Sequence, residues 1–344
     1  MNIIKKRKVG IDLIVKKYKT TNDILILDGI SGTGKTMLGP VLGSFKNVTN
    51  GKFDYNFEYI SILNFLNNLG EEDASGILNY IIDNNIYSDS IGRELNFRLR
   101  DLSSVINLSN GLTSIVKIFS SDSDELYQNK LKMNKTFIIW THQLVAAFPL
   151  LEAAFDTRLK IIESVRHPLY LFDHWIHQEW WDNSKNPNLQ NFNGNQEIFW
   201  FLENDHYDYN QRSSADKAVI NLISLYKHVF KFLKSEKIMY VPFEHFVLNT
   251  SDYVKKIESF IQRPRGSYTK LVLKQQRLPR LHINNGVKKS IYLKYGAGNL
   301  TTEKNHQTDY ENNYHRIQRV VSQDLWHQFE NLIAEYEKEF GLWF

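Results

Sequence analysis

Short runs of consecutive apolar residues recur along the chain, separated by longer stretches in which apolar positions return every three or four residues. The first run, Asp23-Ile24-Leu25-Ile26-Leu27-Asp28, shows no polar alternation and is bounded by Gly29. That is the pattern of a strand buried on both faces of a parallel sheet. Thr136-Phe137-Ile138-Ile139-Trp140, the run from Leu159 to Val165 and the run from Lys237 to Pro242 share this character. Helical stripes lie between and after them. Val219, Leu222, Ile223, Tyr226, Val229, Phe230 and Leu233 form one behind the capping candidates Ser213 and Ser214. Leu325, Phe329, Leu332, Tyr336 and Phe340 form another, closed by Gly341. Strands alternating with helices predict an α/β fold, a doubly wound three-layer sandwich around a mainly parallel sheet. We read residues 1–344 as a single domain.

Two stretches interrupt the alternation. Residues 46–135 are rich in Asn, Asp and Ser, with helix-like patches near 58–69 and 75–86 and no interpretable motif, and read as a peripheral helical insertion. A second insertion is expected over 176–212. In and around it Trp175, Trp180, Trp181, Trp200, Phe201, Tyr207 and Tyr209 are interleaved with Asp, His and Asn. Two readings stand for these rings: packing of a helical subdomain, or a wall on which a sugar or another flat apolar surface stacks.

Composition narrows the classes. A formal charge of +4, from 42 basic and 38 acidic residues, is too small a surplus for a dedicated nucleic-acid binder but suits an anionic cofactor. With no cysteine, thiolate metal sites, disulfides and cysteine nucleophiles are excluded. A reducing, cytoplasmic setting is expected. No apolar run approaches the roughly 20 residues that span a bilayer, and Ile11 to Val15 is too short for a signal-peptide core.

The chemistry begins immediately after the first predicted strand. Gly29-Ile30-Ser31-Gly32-Thr33-Gly34-Lys35-Thr36 satisfies G-x-x-x-x-G-K-[ST] and leads into the apolar helix pattern Met37, Leu38, Val41, Leu42. Glycine lets successive backbone N–H groups turn inward around phosphate oxygens without a Cβ in the way. The following helix adds its positive end, and Lys35 a point charge. A kinase would also need an acid at the end of another strand to organise Mg²⁺. Here Thr136 to Trp140 ends in Thr141-His142, and Glu163 lies in mid-strand. Beyond a third strand, Arg166-His167-Pro168 places a guanidinium where it could clamp phosphate or form a structural ion pair. His142 would reach the same crevice, where a neutral imidazole accepts a hydroxyl proton.

Ser31-Gly32-Thr33 after a strand, Thr141-His142 after a second and Arg166-His167-Pro168 after a third together resemble the sulfotransferase family. The spacing through Phe148-Pro149-Leu150-Leu151, and the stretch from Tyr240 through Glu244 to Ile261, are also similar to it, so that about a third of the chain is covered. The resemblance implies transfer of a sulfuryl group from 3′-phosphoadenosine-5′-phosphosulfate to a hydroxyl or amine of a small-molecule or glycan acceptor, without a metal, leaving adenosine 3′,5′-bisphosphate. It implies that Ser31, Gly32, Thr33, Gly34, Lys35 and Thr36 hold the phosphosulfate, that Arg166 and His174 hold the 3′-phosphate, and that His142 is the general base. The chain departs from the family in three places. Ile30 stands where a lysine is common, leaving Lys35 for the leaving-group role. His174 stands where a serine usually completes the 3′-phosphate site. The family's basic glycine loop is echoed only by Lys288-Lys289 through Gly298. An ATP-dependent kinase and a non-catalytic binding module remain as rivals.

Overall fold

The computed structural model describes residues 23–90, 93, 97–98, 135–181, 199–202, 208–283 and 305–344. Strands β1 (Ile24–Gly29), β2 (Phe137–Trp140), β3 (Leu159–Val165) and β4 (Ile238–Pro242) lie within a residue of the four apolar runs. They form a four-stranded sheet in the order β2-β1-β3-β4. All neighbours are parallel. Every residue of β1 and β2 is buried, which is why these strands carry no polar alternation.

The register brings Leu27 opposite Trp140, Gly29 opposite Ser164 and Val165 opposite Pro242, so the carboxyl ends of all strands line one edge. The connection leaving β1 runs to β2 on one side, whereas the connection leaving β3 runs to β4 on the other. The crevice between the ends of β1 and β3 is therefore a topological switch point, the place where open parallel sheets bind ligands.

Helix α1 (Lys35–Gly43) follows β1 directly and buries Leu38, Val41 and Leu42. Helix α2 (Tyr55–Phe65) starts at Asp54, whose carboxylate accepts the Phe57 N–H at 3.1 Å, and α3 (Glu71–Ser90) follows. Phe57, Ala74 and Leu78 are fully buried, so this part of the stretch read as peripheral packs into the central core. Helices α4 (Phe148–Phe155) and α5 (Pro168–His177) flank β3, and Pro168 occupies the first turn of α5, where its missing N–H costs nothing.

The expected stripe at 219 becomes α6 (Ser214–Lys231), with Ser213 as cap accepting the Asp216 N–H at 3.1 Å. After β4 come α7 (Phe243–Leu248), α8 (Thr250–Ile261) and α9 (Thr269–Gln275), then α10 (His306–Gln318) and α11 (Gln323–Phe340), which Gly341 closes at a φ of 76°. Trp175, Trp200, Phe201 and Tyr209 are all buried in this core, and Trp180 and Trp181 pack against it. For these rings the packing reading holds; Tyr207 lies outside the described residues. Among the described residues no helix is long and apolar enough to cross a membrane.

Candidate functional site

Between β1 and α1 the chain makes a tight cradle. Thr33 closes it by donating to the Ile30 carbonyl from both its N–H, at 3.2 Å, and its hydroxyl, at 2.8 Å. Gly32 and Gly34 have φ values of +100° and +94°, the left-handed region. A Cβ on Gly32 would lie 2.6 Å from the His174 ring, and one on Gly34 2.7 Å from the Phe243 ring. Both glycines are thus required by backbone shape and by close neighbours. Among the described residues no acceptor meets the N–H groups of Gly32, Gly34, Lys35 or Thr36, which remain as donors for an anion. Ser164 ties the cradle to β3 through a 2.8 Å bond to the Thr33 carbonyl. Gly34→Ala is expected to weaken binding of an anion such as sulfate at the loop by at least about tenfold, because it imposes backbone strain of roughly 1–2 kcal/mol and displaces Phe243. Isothermal titration of the variant checks this.

Lys35 does not project freely from the loop. Its ammonium is buried and donates to the carbonyls of Gly29 and, at 3.2 Å, Ile30. Burial pulls its pKa down, against the opposing pull of Asp28, Glu163 and Glu58. Asp28 and Glu163 are register neighbours beneath the loop, and both are buried. Asp28 accepts the Thr141 hydroxyl at 2.9 Å and the Val145 N–H at 2.7 Å. Burial and the charge of Asp28 push Glu163 well above the carboxylate range, so it holds its proton. Ser31 is held by the Gln143 amide at 3.3 Å and, through its carbonyl, by the Trp175 indole at 3.1 Å. Thr36 is exposed.

His142 enters the site because Thr141 bonds Leu27 across the sheet and Gln143 bonds the Gly29 carbonyl at 3.1 Å, fixing the residue between them beside the loop. The partner that orients it is Glu58 on α2. A single oxygen, Glu58 Oε1, accepts the His142 backbone N–H at 2.9 Å and lies 3.0 Å from Nδ1. Burial, then Asp28, pushes Glu58 up to about 9. Burial, then Lys35, pulls His142 down to about 3. The pair is therefore a carboxylic acid beside a neutral imidazole at neutral pH. An oxygen that already accepts a backbone N–H is the carbonyl oxygen of that acid, so Nδ1–H donates to it and Nε2 keeps its lone pair. Nothing in the local sequence marks Glu58, which lies 84 residues from His142.

Arg166 follows β3 into the same crevice. Its Nη1 donates to the Gly32 carbonyl at 3.0 Å, its Nε lies 3.9 Å from Glu244, and its guanidinium lies 4.7 Å from the Phe243 ring centre. The ion pair is loose, and the guanidinium is bonded to the loop's own carbonyl beside the cradle. The Arg280 guanidinium, unmarked by any motif, lies over the same Phe243 ring at 5.6 Å. His174 packs on Gly32 and on Trp180, and burial with the charge of Arg166 pulls it down to about 3. It is neutral, so it supplies a dipole where a cation would grip phosphate better. Lys288 through Gly298 lie outside the described residues.

The sheet order, the glycine cradle at its switch point and the flanking helices define an α/β protein of the phosphate-loop type. Several solved sulfotransferase structures resemble the chain. The sulfotransferase domain from the curacin biosynthetic pathway is 14% identical, with 88% of this chain and 98% of that one covered at a TM-score of 0.42. The sulfotransferase domain from the Synechococcus PCC 7002 olefin synthase is 12% identical, with coverages of 90% and 94% at 0.41. Retinol dehydratase, in complex with androsterone and the inactive cofactor PAP, is 13% identical, with coverages of 93% and 82% at 0.33. No family model matches the sequence, and no curated protein does.

Proposed function

We propose that the protein is a sulfotransferase that moves a sulfuryl group from 3′-phosphoadenosine-5′-phosphosulfate to an acceptor hydroxyl. The observation that carries this reading is the arrival of the glycine cradle, His142 and Arg166 at the ends of three adjacent strands, β1, β2 and β3, each in the motif that resembles the family. The open N–H groups of Gly32, Gly34, Lys35 and Thr36 suit the phosphosulfate, and Arg166 suits the 3′-phosphate. When bound, the nucleotide supplies an activated sulfuryl group on a good leaving phosphate. His142 Nε2 takes the acceptor's proton as the acceptor oxygen bonds sulfur; the bond from sulfur to the bridging phosphate oxygen breaks, and that oxygen keeps the electron pair. The helix end and the open loop N–H groups stabilise the charge that grows there. Lys35, expected from the sequence to serve the leaving group, is turned back onto the Gly29 and Ile30 carbonyls and braces the loop instead.

The nearest carboxylates are poorly placed for the kinase alternative: Asp28 is committed to Thr141 and Val145, and Glu163 is buried and protonated. Thermal unfolding tests the reading directly. Adenosine 3′,5′-bisphosphate at a hundredfold excess over its Kd is expected to add about 2.7 kcal/mol of stability, and ATP with Mg²⁺ much less. Stabilisation by Mg-ATP alone overturns it, as does failure to form sulfated product with any acceptor.

A further inference from the structure

We infer that the surface formed by α9 and the turn after it, from Lys270 to Leu281, docks on an anionic lipid surface, with Leu281 as the side chain that enters the headgroup layer. From Ser259 to Ile283 the sequence holds six Lys and Arg residues and no Asp or Glu, whereas the whole chain carries only +4. The basic surplus is therefore gathered in this one segment, and the remainder of the chain is net negative. Of the six, Arg263 is paired with Asp23 at 2.9 Å and Arg265 with Glu258 at 3.0 Å. Arg280 is turned inward, donating to the Ile283 carbonyl at 3.0 Å and to the Met37 sulfur at 3.3 Å. Lys270, Lys274 and Arg277 are left. All three are exposed, and among the described residues no carboxylate pairs with them.

The same face carries apolar side chains into water. Positions 270, 271 and 274 share the exposed side of α9, while Thr269 and Val272 are buried. Leu271 is 52% exposed between the two lysines, Tyr268 just before the helix is 52% exposed, and Leu281 is 94% exposed. A groove of about 600 Å³ joins α9 to the turn, lined by cationic Lys270, Lys274 and Arg277 and by apolar Leu273, Leu278 and Pro279. Single apolar side chains are ordinary on a protein surface. Three on one face, beside three unpaired cations, make an amphipathic contact surface.

This combination favours a bilayer over an acidic protein. A protein partner takes an anchor side chain in a pocket and pairs charges at fixed sites. Headgroups instead offer mobile phosphates to flexible lysines and an acyl boundary to a protruding leucine. Each Lys or Arg near an anionic surface contributes about fivefold in binding, so three give a roughly 10²-fold preference over a neutral surface, and burying the Leu281 side chain adds about tenfold. Docking here needs no spanning helix. It brings the nucleotide crevice close to the lipid, because Arg280 crosses from this turn to the Phe243 ring that packs on Gly34.

Vesicle sedimentation with the full chain tests this. Vesicles of phosphatidylcholine alone are compared with vesicles in which about a third of the lipid is phosphatidylglycerol, at about 0.1 M salt. No nucleotide or acceptor is present, so the outcome does not turn on the sulfuryl-transfer reading. Binding about 10²-fold tighter to the anionic vesicles is expected, falling toward the neutral value at about 0.5 M salt. Lys270→Gln with Lys274→Gln is expected to weaken that binding roughly 25-fold, and Leu281→Ser about tenfold. Lys231→Gln with Lys234→Gln removes the same charge at the end of α6 and is expected to stay within about twofold of wild type. All of these side chains are exposed, and thermal unfolding confirms the fold of each variant. Equal binding to both kinds of vesicle overturns the proposal, as does anionic binding that neither Leu281→Ser nor the Lys270 and Lys274 double variant weakens. Soluble poly-L-glutamate separates the other source of negative charge. If it binds the wild type but not that double variant, and neither vesicle sediments the protein, the surface belongs to an acidic protein and the lipid proposal falls.

Discussion

His142→Gln is expected to lower kcat by about 10²–10⁴-fold while leaving the affinity for adenosine 3′,5′-bisphosphate within about twofold of wild type. Glutamine keeps a polar group of similar reach but cannot accept the acceptor's proton. The imidazole donates to Glu58 rather than to the loop, so its loss leaves the nucleotide cradle untouched. The pH dependence gives a second signature. An unperturbed histidine base loses activity below pH about 6.5. Burial and Lys35 hold His142 down to about 3, against the opposing pull of Asp28, so it stays neutral and competent well below that. The acid limb of kcat/KM is therefore expected near pH 3–4, or wherever acid unfolding intervenes, and activity is expected to be flat from pH 5 to 7. A limb near pH 6.5 that vanishes in His142→Gln means that the imidazole is more exposed in the working enzyme than its place beside Lys35 dictates.

The ease of finding His142 and the difficulty of finding Glu58 have the same physical origin. Strands buried on both faces are largely apolar, so β1 and β2 announce themselves and β3 and β4 follow by their similar runs, and the residues just past their ends are placed by default at one edge of the sheet. Gly32 and Gly34 are equally legible, because a left-handed cradle against His174 and Phe243 tolerates little else. Glu58 has no such local signature. It is one acid in a segment rich in Asn, Asp and Ser, and only the packing of Phe57 and Ile62 against the core turns it toward His142. Composition also could not decide which way the rings between Trp175 and Tyr209 face; the same amphipathic mixture lines a wall or fills a core, and here it fills the core. Lys35 was legible as a cation beside the cradle. Its fold back onto the Gly29 and Ile30 carbonyls was not, because it depends on the carboxylates that β1, β3 and α2 bring beneath the loop.

Glu58 should separate stability from catalysis. Its folded value is about 9 against an ordinary 4.5, so an unfolded chain releases this proton above pH 4.5 while the folded protein keeps it until about pH 9. Folding stability contributed by this residue therefore falls as pH rises across that window, by at most about 1.4 kcal/mol per unit. Glu58→Gln removes the titration and is expected to unfold at a higher temperature than wild type at pH 8, with the gain shrinking toward pH 5. The same variant should keep kcat within about tenfold. A carboxamide is free to turn its nitrogen toward an imidazole and impose the wrong tautomer, but here the His142 backbone N–H at 2.9 Å requires an acceptor at the Oε1 position. The amide oxygen is pinned there, and Nδ1–H keeps its acceptor. Glu58→Ala offers no acceptor to either group and is expected to lose about 10²-fold in kcat, with KM for the acceptor changed far less. Equal losses in the alanine and glutamine variants would mean that the ionised carboxylate is needed to balance the imidazolium, and that the dyad works as an ion pair at the moment of transfer.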